Sequence, residues 1–151
     1  MISATLQSEP INIGAIIADA QAEGAGAVAT FSGIVRGDDG VTALELEHYP
    51  AMTEPVMQAL AEEAAARWGL LSVRVVHRVG RMVPGETVVL IATVAPHRHE
   101  ALEACAFLID LLKSETPFWK REWRGAAGAW VEPRQSDDRA LARWREHPVE
   151  D

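Results

Sequence analysis

Cysteine is nearly missing from this chain: Cys105 is alone among 151 residues. A single thiol excludes an intramolecular disulfide and any zinc site built on cysteines. Long apolar runs are missing too. The longest, Val88 to Ala95, falls far short of the ~20 residues that span a bilayer. The opening MISATLQSEP lacks the basic stretch and apolar run of a signal peptide, so a soluble, cytoplasmic protein is expected. Positive charge is in deficit, with 14 basic against 22 acidic residues, a net charge of -8 and a pI near 5.1. Such a field repels phosphate backbones and anionic lipid, which argues against nucleic-acid or membrane binding. No GxGxxG, P-loop, HExxH or CxxC pattern occurs, so nucleotide cofactors and the familiar metal motifs have no support.

Lysine is almost as scarce. Twelve of the basic residues are arginine and two, Lys113 and Lys120, are lysine, both inside the segment LKSETPFWKRE. Arginine serves most exposed basic positions, whereas lysine supplies a compact ammonium whose pKa moves readily. The pair therefore reads either as chemistry or as the residue of an arginine-biased composition.

What is present is globular: 48% hydrophobic and 24% charged residues, enough for one domain over residues 1–151. Asn12 caps a first helix carrying Ile13, Ile16, Ile17 and Ala20, which Gly24 and Gly26 stop. Ala27 to Val35 reads as a buried strand. The turn cluster at residues 37–40 predicts a hairpin to the next strand, Val41 to Tyr49. In that strand Leu44, Leu46 and His48 share one face, and Glu45, Glu47 and Tyr49 the other. Thr53 opens a second helix that Gly69 closes. Val73, Val75, His77 and Val79 alternate along a strand, and Thr87 to Ala95 reads as a central strand buried on both faces. A third helix runs from about His97 to Ser114 with an apolar stripe of Ala101, Leu102, Cys105, Leu108, Ile109 and Leu112. Short strands, Phe118 to Trp123 and Ala129 to Glu132, precede a last helix begun by Ser136 and carrying Leu141 and Trp144. Hairpins alternating with helices predict a mostly antiparallel α+β fold.

Lys113 falls in the last turn of the third helix, where a cation also stabilises the helix end without any function. Lys120 lies beyond the Pro117 break on the face of Phe118 and Glu122, with Trp119, Arg121 and Trp123 opposite. A helix end and a proline-broken strand can bring the two ammonium groups into one pocket, where burial and repulsion favour a neutral amine. Arg36, at a strand end, and the His97-Arg98-His99 run at a helix start offer an anion site. A solvated Arg98 and a helix-capping His97 are the plainer alternatives. Cys105 lies in the apolar stripe and reads as core, not nucleophile. FWKREWR could stack bases on Trp119 and Trp123, against the unfavourable net charge.

Six segments, in order between about Gly24 and Trp144, carry a resemblance: GAVATFSGIVR, LELEHYPAMTE, VVHRVGRMVPGE, APHRHEALEACAFLIDLLK, TPFWKRE and WVEPR. Together they resemble the large, catalytic subunits of molybdopterin synthase. The resemblance implies an α/β-hammerhead-like fold with an additional small antiparallel sheet. It also implies a sulfurtransferase of molybdenum-cofactor biosynthesis, acting on cyclic pyranopterin monophosphate without metal or nucleotide cofactor. Its two dithiolene sulfurs would come from the C-terminal Gly-Gly thiocarboxylate of a small ubiquitin-like subunit, within a heterotetramer built on a homodimer. The same likeness assigns catalysis to Lys113 and Lys120. It assigns substrate binding to Ile34, Val35, Arg36, His97, Arg98, Arg121, Glu122 and Arg134 besides the lysines. Ile34 departs from the family, many of whose members have a basic residue there, and the loop at residues 37–40 is short. A non-catalytic dimeric module binding a small anion is the competing expectation; it would keep the arginines and tolerate loss of both lysines.

Overall fold

The computed structural model describes residues 1–49, 51–131 and 135–145. Eight strands and four helices are described: β1 (Ile2–Gln7), α1 (Ile13–Asp19), β2 (Ala27–Ile34), β3 (Ala43–His48), α2 (Thr53–Trp68), β4 (Ser72–Arg78), β5 (Gly80–Met82), β6 (Thr87–Ala95), α3 (Arg98–Glu115), β7 (Phe118–Arg124), β8 (Ala127–Trp130) and α4 (Gln135–Trp144). They build an α+β fold with two four-stranded sheets, ordered β1-β4-β6-β2 and β5-β3-β7-β8. Every pairing is antiparallel except β1 with β4.

The first sheet is the middle of a sandwich. Residues Leu90 to Ala95 of β6 are at most 1% exposed because both sheet faces are covered. On one side Ile16 of α1 meets Val76 and Leu90. On the other, Val73, Val75 and Ile91 pack against Met57, Leu60, Phe107 and Leu111 of α2 and α3. The central strand is thus where its apolar run predicts. Two helix caps also follow the sequence: Asn12 Oδ1 accepts the N–H of Ala15 at 3.1 Å, and Gly69 ends α2 in the left-handed conformation, whereas Thr53 is the first residue of α2 behind an N-cap, Met52, that makes no side-chain bond.

Three expectations need correction. The predicted hairpin does not form. β2 pairs with β6 in the first sheet, whereas β3 pairs with β5 and β7 in the second. Between them the chain crosses from sheet to sheet through a short 3-10 turn at Asp38–Gly40, with Asp39 at a φ of 57°. A turn forms where its composition predicts one, but turn residues do not say which sheet the next strand joins. The stripe of α3 is rotated: Leu102 is exposed, and Ala104, Phe107 and Leu111 join the buried face. Lastly, two short strands, β1 and β5, pair at sheet edges where the sequence reading had none. The final strand ends at Trp130, and Glu132 lies outside the described residues.

α4 is clasped to the helical layer. Trp144 packs edge-on against Trp68 and Phe107 and donates its indole N–H to Asp110 at 2.7 Å. Arg145 pairs with both Glu63 of α2 and Glu115 of α3. This anchors the chain beyond β8 beside the far end of α3.

Candidate active site

The end of α3 and the inner face of the second sheet enclose a cavity of about 580 Å³. Its walls come from four directions. β2 and its continuation bring Ile34, Val35 and Arg36; α3 brings Ile109, Leu112 and Lys113; β7 brings Phe118, Lys120 and Glu122; β4 brings His77. Lys113 and Lys120, read as a pair from the sequence, therefore line one cavity. A larger groove of about 770 Å³, between β1 and α2, holds neither lysine.

Local structure explains the placement. Lys113 is in the last turn of α3, and Thr116 ends the helix in an extended conformation before Pro117. Lys120 is two residues into β7, opposite Leu46 of β3, so period-two alternation turns Phe118, Lys120 and Glu122 to the cavity. The break between them is pinned by Thr53. Its fully buried hydroxyl accepts the N–H of Tyr49 and donates to the Pro117 carbonyl, both at 2.9 Å. The loop before α2 thereby fixes the bend joining the two lysine-bearing elements. Gly33 lets β2 run close beside β6: a Cβ there would lie 2.7 Å from a methyl of Val89.

The polar groups differ in exposure. Arg36 is exposed at the mouth and pairs with Asp38 at 3.5 Å. Lys113 is exposed, Lys120 and Glu122 half-buried. His77 belongs to the same wall, stacked on Phe118 with ring centroids 4.3 Å apart. Burial lowers its pKa to about 4 against a hydrogen bond to Arg78 that raises it, and the charge of Lys113 lowers it further. The ring is therefore neutral at physiological pH. A cavity lined by three cations, Arg36, Lys113 and Lys120, three carboxylates, Asp38, Asp39 and Glu122, and a neutral imidazole on apolar walls can take a phosphate on its cations beside a flat ring.

Not every expected residue is here. Arg121 is on the outer face of β7, 4.0 Å from the ring centre of Trp130 and paired with Glu45. His97 and Arg98 start α3 and are exposed. His97 holds the N-cap position, yet its side chain makes no capping bond. Fifteen helical steps of 1.5 Å separate Arg98 from Lys113, roughly 22 Å, so one pocket in one chain does not reach both. Arg134 lies outside the described residues. Cys105 is buried in α3 as expected, and burial pushes its thiol up to about 11 against a hydrogen bond with Thr93, far from a reactive thiolate. His77 and Thr116 were not singled out as site residues. The signal for His77 was a polar residue continuing the buried alternation of Val73 and Val75. Among the described residues no group of three or more His, Cys, Asp or Glu is arranged to hold a metal ion.

Comparison with known proteins points one way. The sequence model of the MoaE protein family matches residues 6–115. The molybdopterin synthase catalytic subunit of Cereibacter sphaeroides is 48% identical over 143 residues, covering 92% of this chain and 97% of that one. That of Caulobacter vibrioides is 44% identical over 143 residues, covering 93% and 95%. Among solved structures, molybdopterin cofactor biosynthesis protein E from Burkholderia multivorans superposes with a TM-score of 0.82 at 44% identity, covering 95% of this chain and 97% of that one. Molybdopterin synthase from Staphylococcus aureus gives 0.78 at 32% identity, covering 84% and 95%. A family match across most of the length, with relatives similar nearly end to end, means that this chain belongs to the MoaE protein family.

Proposed function

We propose that this chain is the catalytic subunit of a molybdopterin synthase and moves sulfur onto cyclic pyranopterin monophosphate in the cavity between α3 and β7. The observation that carries the reading is the convergence of Lys113 and Lys120, the chain's two lysines, on one cavity. The donor is the thiocarboxylate of a small ubiquitin-like subunit whose Gly-Gly tail enters the cavity. Glycine suits such a tail because a backbone without side chains passes a narrow opening. In each transfer the donor sulfur bonds to a pterin side-chain carbon as the carbon–oxygen bond there breaks, the oxygen leaving as water or with the phosphate, and water then cleaves the acyl–sulfur bond and releases the tail as a carboxylate.

Cations have two tasks in this sequence. Arg36 at the mouth neutralises phosphate, and an ammonium beside the reacting carbon stabilises oxyanions as they form. The lysines also move protons, which a permanently charged guanidinium does not do at neutral pH. Glu122, on the face of Lys120, supplies a carboxylate to hold or return a proton.

His97 and Arg98 enter the reading through a second copy of the chain. A two-fold axis sets the start of one α3 near the end of its mate, so each pocket takes these two residues from the partner. A complex with the small subunit on each end of that dimer completes the assembly. The test is turnover: this protein, mixed with thiocarboxylated small subunit and cyclic pyranopterin monophosphate, yields molybdopterin. A module that only binds anions would retain the pterin phosphate and release it unchanged.

A further inference from the structure

Two polar groups in the cavity have no part in the chemistry above. His77 takes the last place in the row of Val73 and Val75, on the side of β4 that faces α3. Its ring is clamped from two sides. It stacks on Phe118 at an interplanar angle of 27°, and Nδ1 lies 2.8 Å from the Arg78 carbonyl oxygen. A carbonyl only accepts, so Nδ1 carries the ring proton and Nε2 is a bare acceptor. Among the described residues Nε2 has no partner, and the ring borders the cavity.

Thr116 supplies the complement. It is 8% exposed, lines the same cavity at the end of α3, and has its Oγ1 buried without a hydrogen-bond partner among the described residues. A buried hydroxyl left unpaired is costly, and folded proteins keep few of them. Leu112, Val89 and Phe118 line the same cavity, and Lys113 is close enough for its charge to be felt at His77.

We propose that His77 and Thr116 form a neutral hydrogen-bonding subsite for an amide edge, an N–H beside a C=O. The ligand N–H donates to His77 Nε2, and the Thr116 hydroxyl donates to the ligand carbonyl. An uncharged edge fits here because the three cations and Glu122 are spent on phosphate and proton transfer, and Asp38 pairs with Arg36 at the mouth. The inference rests on the synthase reading, in which two sources offer this chemistry: the pyrimidinone ring of the pterin and the peptide bonds of the Gly-Gly tail.

Four variants test it. His77→Asn keeps a donor toward the Arg78 carbonyl and loses the acceptor at Nε2; His77→Gln keeps an acceptor at that reach. Thr116→Val removes the hydroxyl at constant shape, and Thr116→Ser keeps it. Each is assayed with thiocarboxylated small subunit and cyclic pyranopterin monophosphate, after thermal melts confirm folding. His77→Asn and Thr116→Val should raise one KM roughly five- to tenfold, with Gln and Ser variants within about twofold of the parent. A rise confined to the pterin KM identifies the pterin ring, and a rise confined to the small subunit identifies the tail. Unchanged KM values in all four variants, with an active parent, overturn the subsite. An inactive parent overturns the synthase reading instead. The subsite is then read without turnover from the 15N shift of His77 Nε2 during titration with cyclic pyranopterin monophosphate or a peptide ending in Gly-Gly. Movement with either supports it, and none with both overturns it.

Discussion

At Lys113 and Lys120 the chain abandons arginine, and the proposed chemistry supplies a reason: an amine that gives and takes protons serves sulfur transfer better than a fixed charge. Lys113→Ala and Lys120→Ala should each lower sulfur transfer by about a hundredfold or more with melting temperature nearly unchanged, since neither side chain fills the core. Lys113→Arg should fail as well, its guanidinium staying protonated and occupying more of the cavity. Parallel turnover assays and thermal melts check all three. Near-parental turnover in both alanine variants would contradict the assignment. His77 carries a second expectation at this scale. Its folded pKa, about 4, is below the ordinary 6.5, so the unfolded chain binds the proton more tightly. Its contribution to stability is therefore whole above pH 6.5, shrinks as pH falls toward 4, and changes no further below. Lys113, Lys120 and Glu122 line the same cavity, so the comparison must isolate this ring. Denaturant melts of the parent and His77→Asn across that window should show a flatter profile for the variant. Equal slopes would mean that His77 is not held neutral.

Among the elements, the bend between α3 and β7 matters most, because it decides whether two lysines seven residues apart face one space. Thr53 holds it from outside through two hydrogen bonds of its buried hydroxyl, one to each neighbouring backbone segment. Thr53→Val keeps the shape and strands both backbone groups, so it should cost about 1–3 kcal/mol and lower turnover without touching substrate. Urea melts and kinetics together check this; a variant that is fully stable and fully active removes Thr53 from the account. The helices, two of their caps and the central strand were legible from the sequence because their signals are local: Asn12 before Ile13, Gly69 after Trp68, and an apolar run from Val88 that only Thr93 interrupts. The two-sheet topology was not legible. β2 finds its partner in β6, more than fifty residues on, and nothing in the turn at residues 37–40 encodes that choice. β1 was missed because six residues with modest alternation, Ile2 to Gln7, carry little signal without β4 beside them. Of the site, the lysine pair and Arg36 were legible from composition and from family likeness together. His77 and Thr116 needed the structure, since only the packing of β4 against Phe118 and the end of α3 turns them into one wall.

For the whole molecule, the distance along α3 forces a choice. Either His97 and Arg98 serve no pocket, or they serve the pocket of a second copy. Inactive Lys120→Ala and Arg98→Ala subunits, allowed to exchange, separate the two. A mixed dimer has one pocket with both defects and one with neither, so activity should return to about a quarter of the parental value at full random exchange. If mass measurement confirms exchange and no activity returns, the pocket is not shared in this way. The claim beneath all of these is that the cavity between α3 and β7 transfers sulfur. It is tested most directly by incubating the purified protein with thiocarboxylated small subunit and cyclic pyranopterin monophosphate, then measuring molybdopterin and the carboxylate form of the small subunit. The account predicts one molybdopterin for every two tails converted, and loss of both products in Lys120→Ala. Tails that stay thiocarboxylated beside unchanged pterin would contradict it.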